Sequence, residues 1–154
     1  MAFTEQLTQA LAILGQLPGA NQAVATYTVG AGTGNATNGV DMRAIRRLQA
    51  VFDVGIVGAS ANIQAYFQAS ANLNMAGPLN VAASIPLTFN TTNRVETLEV
   101  RADQLPAGTR YVTCQVVVNT AASNVGVILQ GGESAYKPAS QFGTVGVLDQ
   151  GIVT

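Results

Sequence analysis

Residues Arg94–Gln130, RVETLEVRADQLPAGTRYVTCQVVVNTAASNVGVILQ, decide the fold, because they read as strand, turn, strand, short loop, strand. Within Arg110–Asn119, Val112, Cys114, Val116 and Val118 alternate with Tyr111, Thr113 and Gln115, the period of two that a strand with one buried face requires. Leu105-Pro-Ala-Gly108 is turn chemistry, with proline pre-setting one backbone angle and glycine tolerating the next bend. On the N-terminal side, Val95–Arg101 is a strand whose apolar parity shifts between Val95 and Leu98, which predicts a bulge or a weak register. On the C-terminal side, Val125–Gln130 is the last clear strand, and Gly131-Gly132 is expected to end it.

Working outward, the cleanest alternation is Ala61–Ser70, where Ile63, Ala65, Phe67 and Ala69 point one way and Asn62, Gln64, Tyr66, Gln68 and Ser70 the other. Ile45–Val57 alternates as well: its even positions Arg46, Leu48, Ala50, Phe52, Val54 and Ile56 are mostly apolar, and its odd ones include Arg47, Gln49 and Asp53. Ala23–Val29 is a β-prone run that ends in the glycine-rich loop GAGTGNATNG. Asn72–Asn80 reads as a loop, and Ile85–Asn90 as a short edge strand interrupted by Pro86. At the N-terminus, Phe3, Leu7, Ala10, Leu11 and Leu14 fall on one face of a helix, with Thr4 to cap its start and Gly15 its end before Pro18. The expectation is therefore an all-β protein, an antiparallel β-sandwich of jelly-roll type over residues 20–135. A short N-terminal helix or arm occupies residues 1–19 and an extended tail residues 136–154.

Of the 154 residues, 48% are hydrophobic and only 10% charged, against roughly 25% charged in an ordinary globular domain. Amides, hydroxyls, alanine and glycine fill the difference. Such a surface is poor at keeping copies of a chain apart and suits a subunit covered by its own copies or by a partner. A net charge of −1 leaves no basic footprint for nucleic acid. The N-terminus lacks the basic region of a signal peptide, and no apolar run reaches the roughly 20 residues of a membrane span.

With no histidine, Ser–His and Cys–His nucleophilic catalysis are excluded. The single cysteine, Cys114, lies on the apolar side of a valine-rich strand, where a thiol is a small core residue. Glu96 and Glu99 differ by three positions, so on one strand they face opposite sides and do not converge as a carboxylate pair must. Asp41, Asp53 and Asp103 are scattered, and with Asp149 they lack the spacing of a calcium loop. GAGTGN at positions 30–35 lacks the strand-to-helix setting of a phosphate loop. No catalytic residue, cofactor or metal is expected. One charged cluster stands out, Asp41-Met-Arg43-Ala-Ile-Arg46-Arg47, and it has two readings: local ion pairs of little consequence, or an interface contact. Arg46 shares the parity of the buried face, which suits a partnered arginine at the sandwich edge.

The order of features resembles the small jelly-roll cement, or decoration, proteins of tailed-phage capsids. The matching parts are the strand Ala23–Val29, the GVDM entry at Gly39–Met42, QAYFQAS at Gln64–Ser70, VRADQLPAGTRYVTCQVVVNTA followed by NVGVILQGG at Val100–Gly132, and a variable loop between Ser70 and Pro86. The likeness spans roughly residues 20–135 and is one of pattern. It implies a non-enzymatic virion protein, made in the bacterial host cytoplasm and resident on the outer capsid surface. Its implied partners are the major capsid protein and itself, as a homodimer or homotrimer, with no nucleic acid and no membrane. The leading helix pattern and the long tail depart from the family, and each has two readings: an arm that reaches a neighbouring subunit, or a part of the chain's own core. Candidate interface residues are Arg43, Arg46, Arg47, Phe3, Leu7 and Leu11. The competing readings are a carbohydrate- or receptor-binding sandwich of a tail fibre or adhesin, and another phage head or tail subunit.

Overall fold

The computed structural model describes residues 11–81 and 87–134. Its strands are β1 (Leu11–Gln22), β2 (Ala25–Val29), β3 (Gly32–Thr33), β4 (Val40–Asp41), β5 (Ile45–Val54), β6 (Asn62–Ser70), β7 (Leu79–Asn80), β8 (Leu87–Phe89), β9 (Arg94–Arg101), β10 (Tyr111–Asn119) and β11 (Ser123–Ser134), with a 3-10 turn at Ala102–Gln104. The first sheet has the order β3-β1-β11-β5-β9 and the second β2-β10-β6-β7, with β4 on β10 and β8 on β6. All pairings are antiparallel except the short contact of β1 with β3.

β4 and β2 lie end to end along one edge of β10, and β7 and β8 end to end along one edge of β6. Taking each as one lane, and setting the two-residue β3 aside, the first sheet runs 1-8-3-6 and the second 2-7-4-5 in chain order. Lanes 1 and 8, 2 and 7, 3 and 6, 4 and 5 are the rungs of one long hairpin. Rolling it brings 8 beside 3 and 7 beside 4, which is the wiring of a jelly roll.

The two inner faces make one core. Leu48, Ala50, Phe52 and Val54 of β5 and Val125, Val127 and Leu129 of β11 meet Ile63, Ala65, Phe67 and Ala69 of β6 and Val112, Cys114, Val116 and Val118 of β10. Removing each larger side chain from water stabilises the fold by about 1.5–3 kcal/mol before entropy is counted. The inward sets legible in Ala61–Ser70 and Arg110–Asn119 are the ones observed, while Ser70, Thr113 and Gln115 of the opposite sets are buried as well. At Pro106–Gly108 the turn is closed by Thr109, whose backbone N–H and hydroxyl both donate to Pro106 O (3.1 and 2.7 Å), while Gly108 takes φ +80°.

Several expectations are corrected. Leu11 and Leu14 do not lie on a helix, and Gly15 does not end one: residues 11–22 form β1, paired along most of its length with β11. Phe3, Leu7 and Ala10 lie outside the described residues, as does the expected tail. Ala12, Leu14, Gly15 and Leu17 are the buried residues of β1, and a register shift between Ile13 and Gly15 breaks the strand's period of two so that the leucines take a helix-like spacing. Pro18 and Gly19 fall in a second irregularity, where a missing N–H costs no ladder bond. Residues 11–19, assigned to an arm, are thus part of the sandwich. Val95–Arg101 carries no bulge, since its register with β5 is continuous from Arg94 to Arg101. Instead Val95 faces outward with 67% exposure, and Glu96, opposite Phe52 at the rim, is paired with Arg94. An inward charge on an edge strand is a known guard against edge-to-edge association.

Gly131 and Gly132 do not end β11, which continues to Ser134 because β1 and β5 pair with it on both sides. A Cβ at Gly131 would lie 2.6 Å from both Ile45 Cγ2 and Leu14 Cδ1, so the missing side chain makes room for two core residues. β5 ends at Val54, leaving Ile56 exposed.

Candidate functional site

Among the described residues, three places concentrate polar chemistry, and the sandwich geometry determines each. The first is the outer face of the first sheet. Its register sets Arg47, Gln49, Val51 and Asp53 of β5 beside Arg101, Glu99, Thr97 and Val95 of β9. Arg47 bridges Glu99 (2.9 Å) and Glu133 (3.3 Å). The contact from its Nε to Glu99 is coulombic, because Nε makes no aligned hydrogen bond. Arg101 lies 3.3 Å from Asp103. Beside these charges, a depression of about 330 Å³ lies over Gly126, walled by Leu17, Pro18, Val51, Asp53 and Ile128.

The outer face of the second sheet is the second place. Here the register produces cross-strand rows: Thr26, Val117, Gln64 and Thr88 form one, Thr28, Gln115 and Tyr66 the next, and Thr113, Gln68 and Asn80 a third. Asn119 and Asn62 make a fourth at one end, joined from Asn119 Nδ2 to Asn62 Oδ1 (2.9 Å). Thr28 Oγ1 donates to Gln115 Oε1 (3.1 Å), Gln115 Nε2 to Thr113 Oγ1 (3.3 Å), and Gln68 Nε2 to Asn80 Oδ1 (3.0 Å). None of these four rows holds a charged side chain. Thr113 and Gln115 face away from the core but are only 0% and 7% exposed, so this part of the face is already covered within the chain.

The third place is the end of the sandwich where the GVDM and LPAGTRY stretches meet. β4 pairs with the start of β10, so Asp41 stands opposite Tyr111. Arg110 donates from Nε to Asp41 Oδ1 (2.7 Å) and from Nη2 to Asp41 Oδ2, a two-pronged ion pair, and its guanidinium lies 5.0 Å from the centre of the Tyr111 ring. The hydrogen bond from Arg110 holds the Asp41 carboxyl below its ordinary value; the Arg43 backbone N–H adds to this, and partial burial opposes it. The 71–78 loop crosses to β4, where Leu73 O accepts from Gly39 N (2.8 Å). Between these segments is an apolar depression of about 220 Å³ walled by Leu14, Ala31, Val40, Ala44, Ile45 and Leu73.

The predicted site residues are not gathered in one place. Arg43 is exposed, with its backbone N–H turned to Asp41 (3.0 Å). Arg46 is exposed as well, which overturns its expected place on the buried face. Ile45 occupies that place instead, and two residues separate it from the next buried one, Leu48. Opposite this break, Glu133 takes φ 52°, so regular alternation is lost in both strands. Arg47 belongs to the charged outer face, and Leu11 begins β1. Arg110, the arginine with the two-pronged partner, is not among the residues that the sequence pattern singles out. Its partner is 69 positions away, and only the pairing of β4 with β10 brings them together.

Burial pushes the Cys114 thiol well above its ordinary pKa, so it is not a ready nucleophile. Glu96 and Glu99 take opposite faces of β9. Among the described residues, no group of three histidine, cysteine, aspartate or glutamate side chains is placed to hold a metal ion, and no helix is long and apolar enough to cross a membrane. Comparison with protein-family models and with curated proteins gives no match for this chain.

Proposed function

We propose that this chain is a non-enzymatic structural protein of a virion, a decoration protein that binds the outer surface of a tailed-phage capsid and stabilises the shell. Its partners are the major capsid protein and further copies of itself. The observation that carries the reading is the outer face of the second sheet, a broad surface of amides and hydroxyls without a charged group in its rows. Covering such a face requires no ion to be desolvated, and its side chains can bond a protein partner in either sense. The jelly-roll wiring is the fold that the resemblance implies. A shell supplies many copies of a weak site, so avidity makes up for the modest area that each small subunit offers.

The test is direct. Purified chain is mixed with undecorated capsids and the particles are imaged. Added density on the outside of the shell is expected at symmetry-related positions, together with slower rupture on heating. Bare shells, with binding to glycans on an array, would assign the protein to the carbohydrate- or receptor-binding class instead.

A further inference from the structure

We infer that the uncharged outer face of the second sheet is a self-contact surface, on which a second copy of this chain lies across a two-fold axis. In a two-fold interface the same patch meets itself, so side chains near the axis face their own copies. Any charged residue there meets a like charge, which is among the strongest penalties an interface can carry. The two central rows avoid this: Thr26, Val117 and Gln64 in one, and in the other Thr28 and Tyr66 on either side of the buried Gln115. Amide and hydroxyl groups are both donors and acceptors, so a face made of them is complementary to its own rotated image. Tyr66, half-buried in the middle row, supplies the aromatic anchor that interfaces favour.

The other broad face does not meet these conditions. Laying the first sheet against itself would take Arg47, Glu99, Glu133 and Asp53 out of water, and desolvating paired charges costs more than their attraction commonly returns. Size sets the expected strength. Nine residues of β6 and four lanes give a face of about 30 by 19 Å, on the order of 500 Å² in projection, somewhat below the roughly 800 Å² per partner of a standard interface. The dimer is therefore expected to be weak and reversible. This inference gives the proposed self-association a definite face and rests on that reading for its biological setting. Its test needs no capsid, so either can fail alone.

Sedimentation equilibrium of the full chain over a range of concentrations provides the test, with Gln64→Lys and Thr26→Lys on the proposed face and Thr97→Lys as the matched change on the outer face of β9. Thr26 and Thr97 are both exposed, so these two variants retain the core even if Gln64→Lys fails to fold, which thermal unfolding of each variant reports. The expected result is reversible dimerisation of the parent chain, weakened at least about tenfold by either second-sheet lysine and left within about twofold by Thr97→Lys. A parent chain that is monomeric throughout would overturn the inference. So would association that Thr97→Lys weakens as much as Thr26→Lys. Glycan binding by a monomer, abolished by Thr26→Lys, would likewise overturn it and give the face to a sugar. Capsid binding that survives the loss of dimerisation would leave the decoration reading intact.

Discussion

Along β5 and β9 the outward positions are Arg47, Gln49, Val51 and Asp53 beside Arg101, Glu99, Thr97 and Val95; along β10 and β6 they are Thr113, Gln115, Val117 and Asn119 beside Gln68, Tyr66, Gln64 and Asn62. Both sets stand on flat antiparallel lanes over the same core. The first is a surface for water, because its charges keep a hydration shell and repel like surfaces. The second invites cover. In a chain with so few charges, their near-absence from the outward rows of β10 and β6 is more informative than their number. Of Arg43, Arg46 and Arg47, which have the composition of a contact, only Arg47 stands among the charges of the first sheet's outer face.

The comparison breaks first if the sheets differ inside as well as outside. Phe52 of the first sheet and Phe67 of the second are both fully buried. Each change to alanine is expected to cost about 3–5 kcal/mol in denaturant unfolding. A much smaller loss at either would mean that the two layers are unequally packed, and that outer chemistry is not their main difference.

A smaller effect separates the ends of the second sheet. Its charge is confined to the Asp41–Arg110 pair, and the folded-state pKa of Asp41 is depressed below the ordinary 3.8. The pair's contribution is therefore complete above that value and is lost as pH falls through the lower folded one. Asp41→Asn should be less stable than the parent at neutral pH, with the gap closing below about pH 3.8. A gap that stays constant into acid would show that the carboxylate charge is not what holds this corner.

Salt sharpens the contrast at the smallest scale. Replacing Gln115 by leucine breaks its bonds to Thr28 and Thr113, for a loss of about 1 kcal/mol that added salt should not alter. Arg47→Ala removes exposed ion pairs worth about 0–1 kcal/mol, and even that should fade at high ionic strength. Equal salt dependence in the two variants would erase the distinction between the faces.

What can be read from residues alone follows from the range of the interactions involved. The alternation in Ala61–Ser70 and Tyr111–Asn119 is local, so both the core stripe and its polar reverse are legible in the sequence itself. The burial of Thr113 and Gln115 is not, since it depends on which lanes become neighbours. Leu11 and Leu14 fit a helix because a register shift in a strand imitates helical spacing over so short a run. Arg46 carries the right parity for the wrong face, and the irregularity opposite Glu133 that resets it lies on another strand. Of the site at the sandwich end, GVDM and LPAGTRY are visible as patterns, while the bond joining them is not.

The pairing of β1 with β11 also bears on how the molecule is made. The ribosome delivers the first of these strands more than a hundred residues before the last. Until β11 emerges, the first sheet lacks its middle: β1 and β5 wait with the edges that will flank it unpaired. Contacts of this separation make folding slow, since the closing of a long loop must precede any gain from it. During that interval the vacant slot accepts a β11 from whichever chain presents one first. The chain's own β11 is tethered and so reaches the slot at a far higher effective concentration than a neighbour's, which favours closure of each first sheet by its own chain.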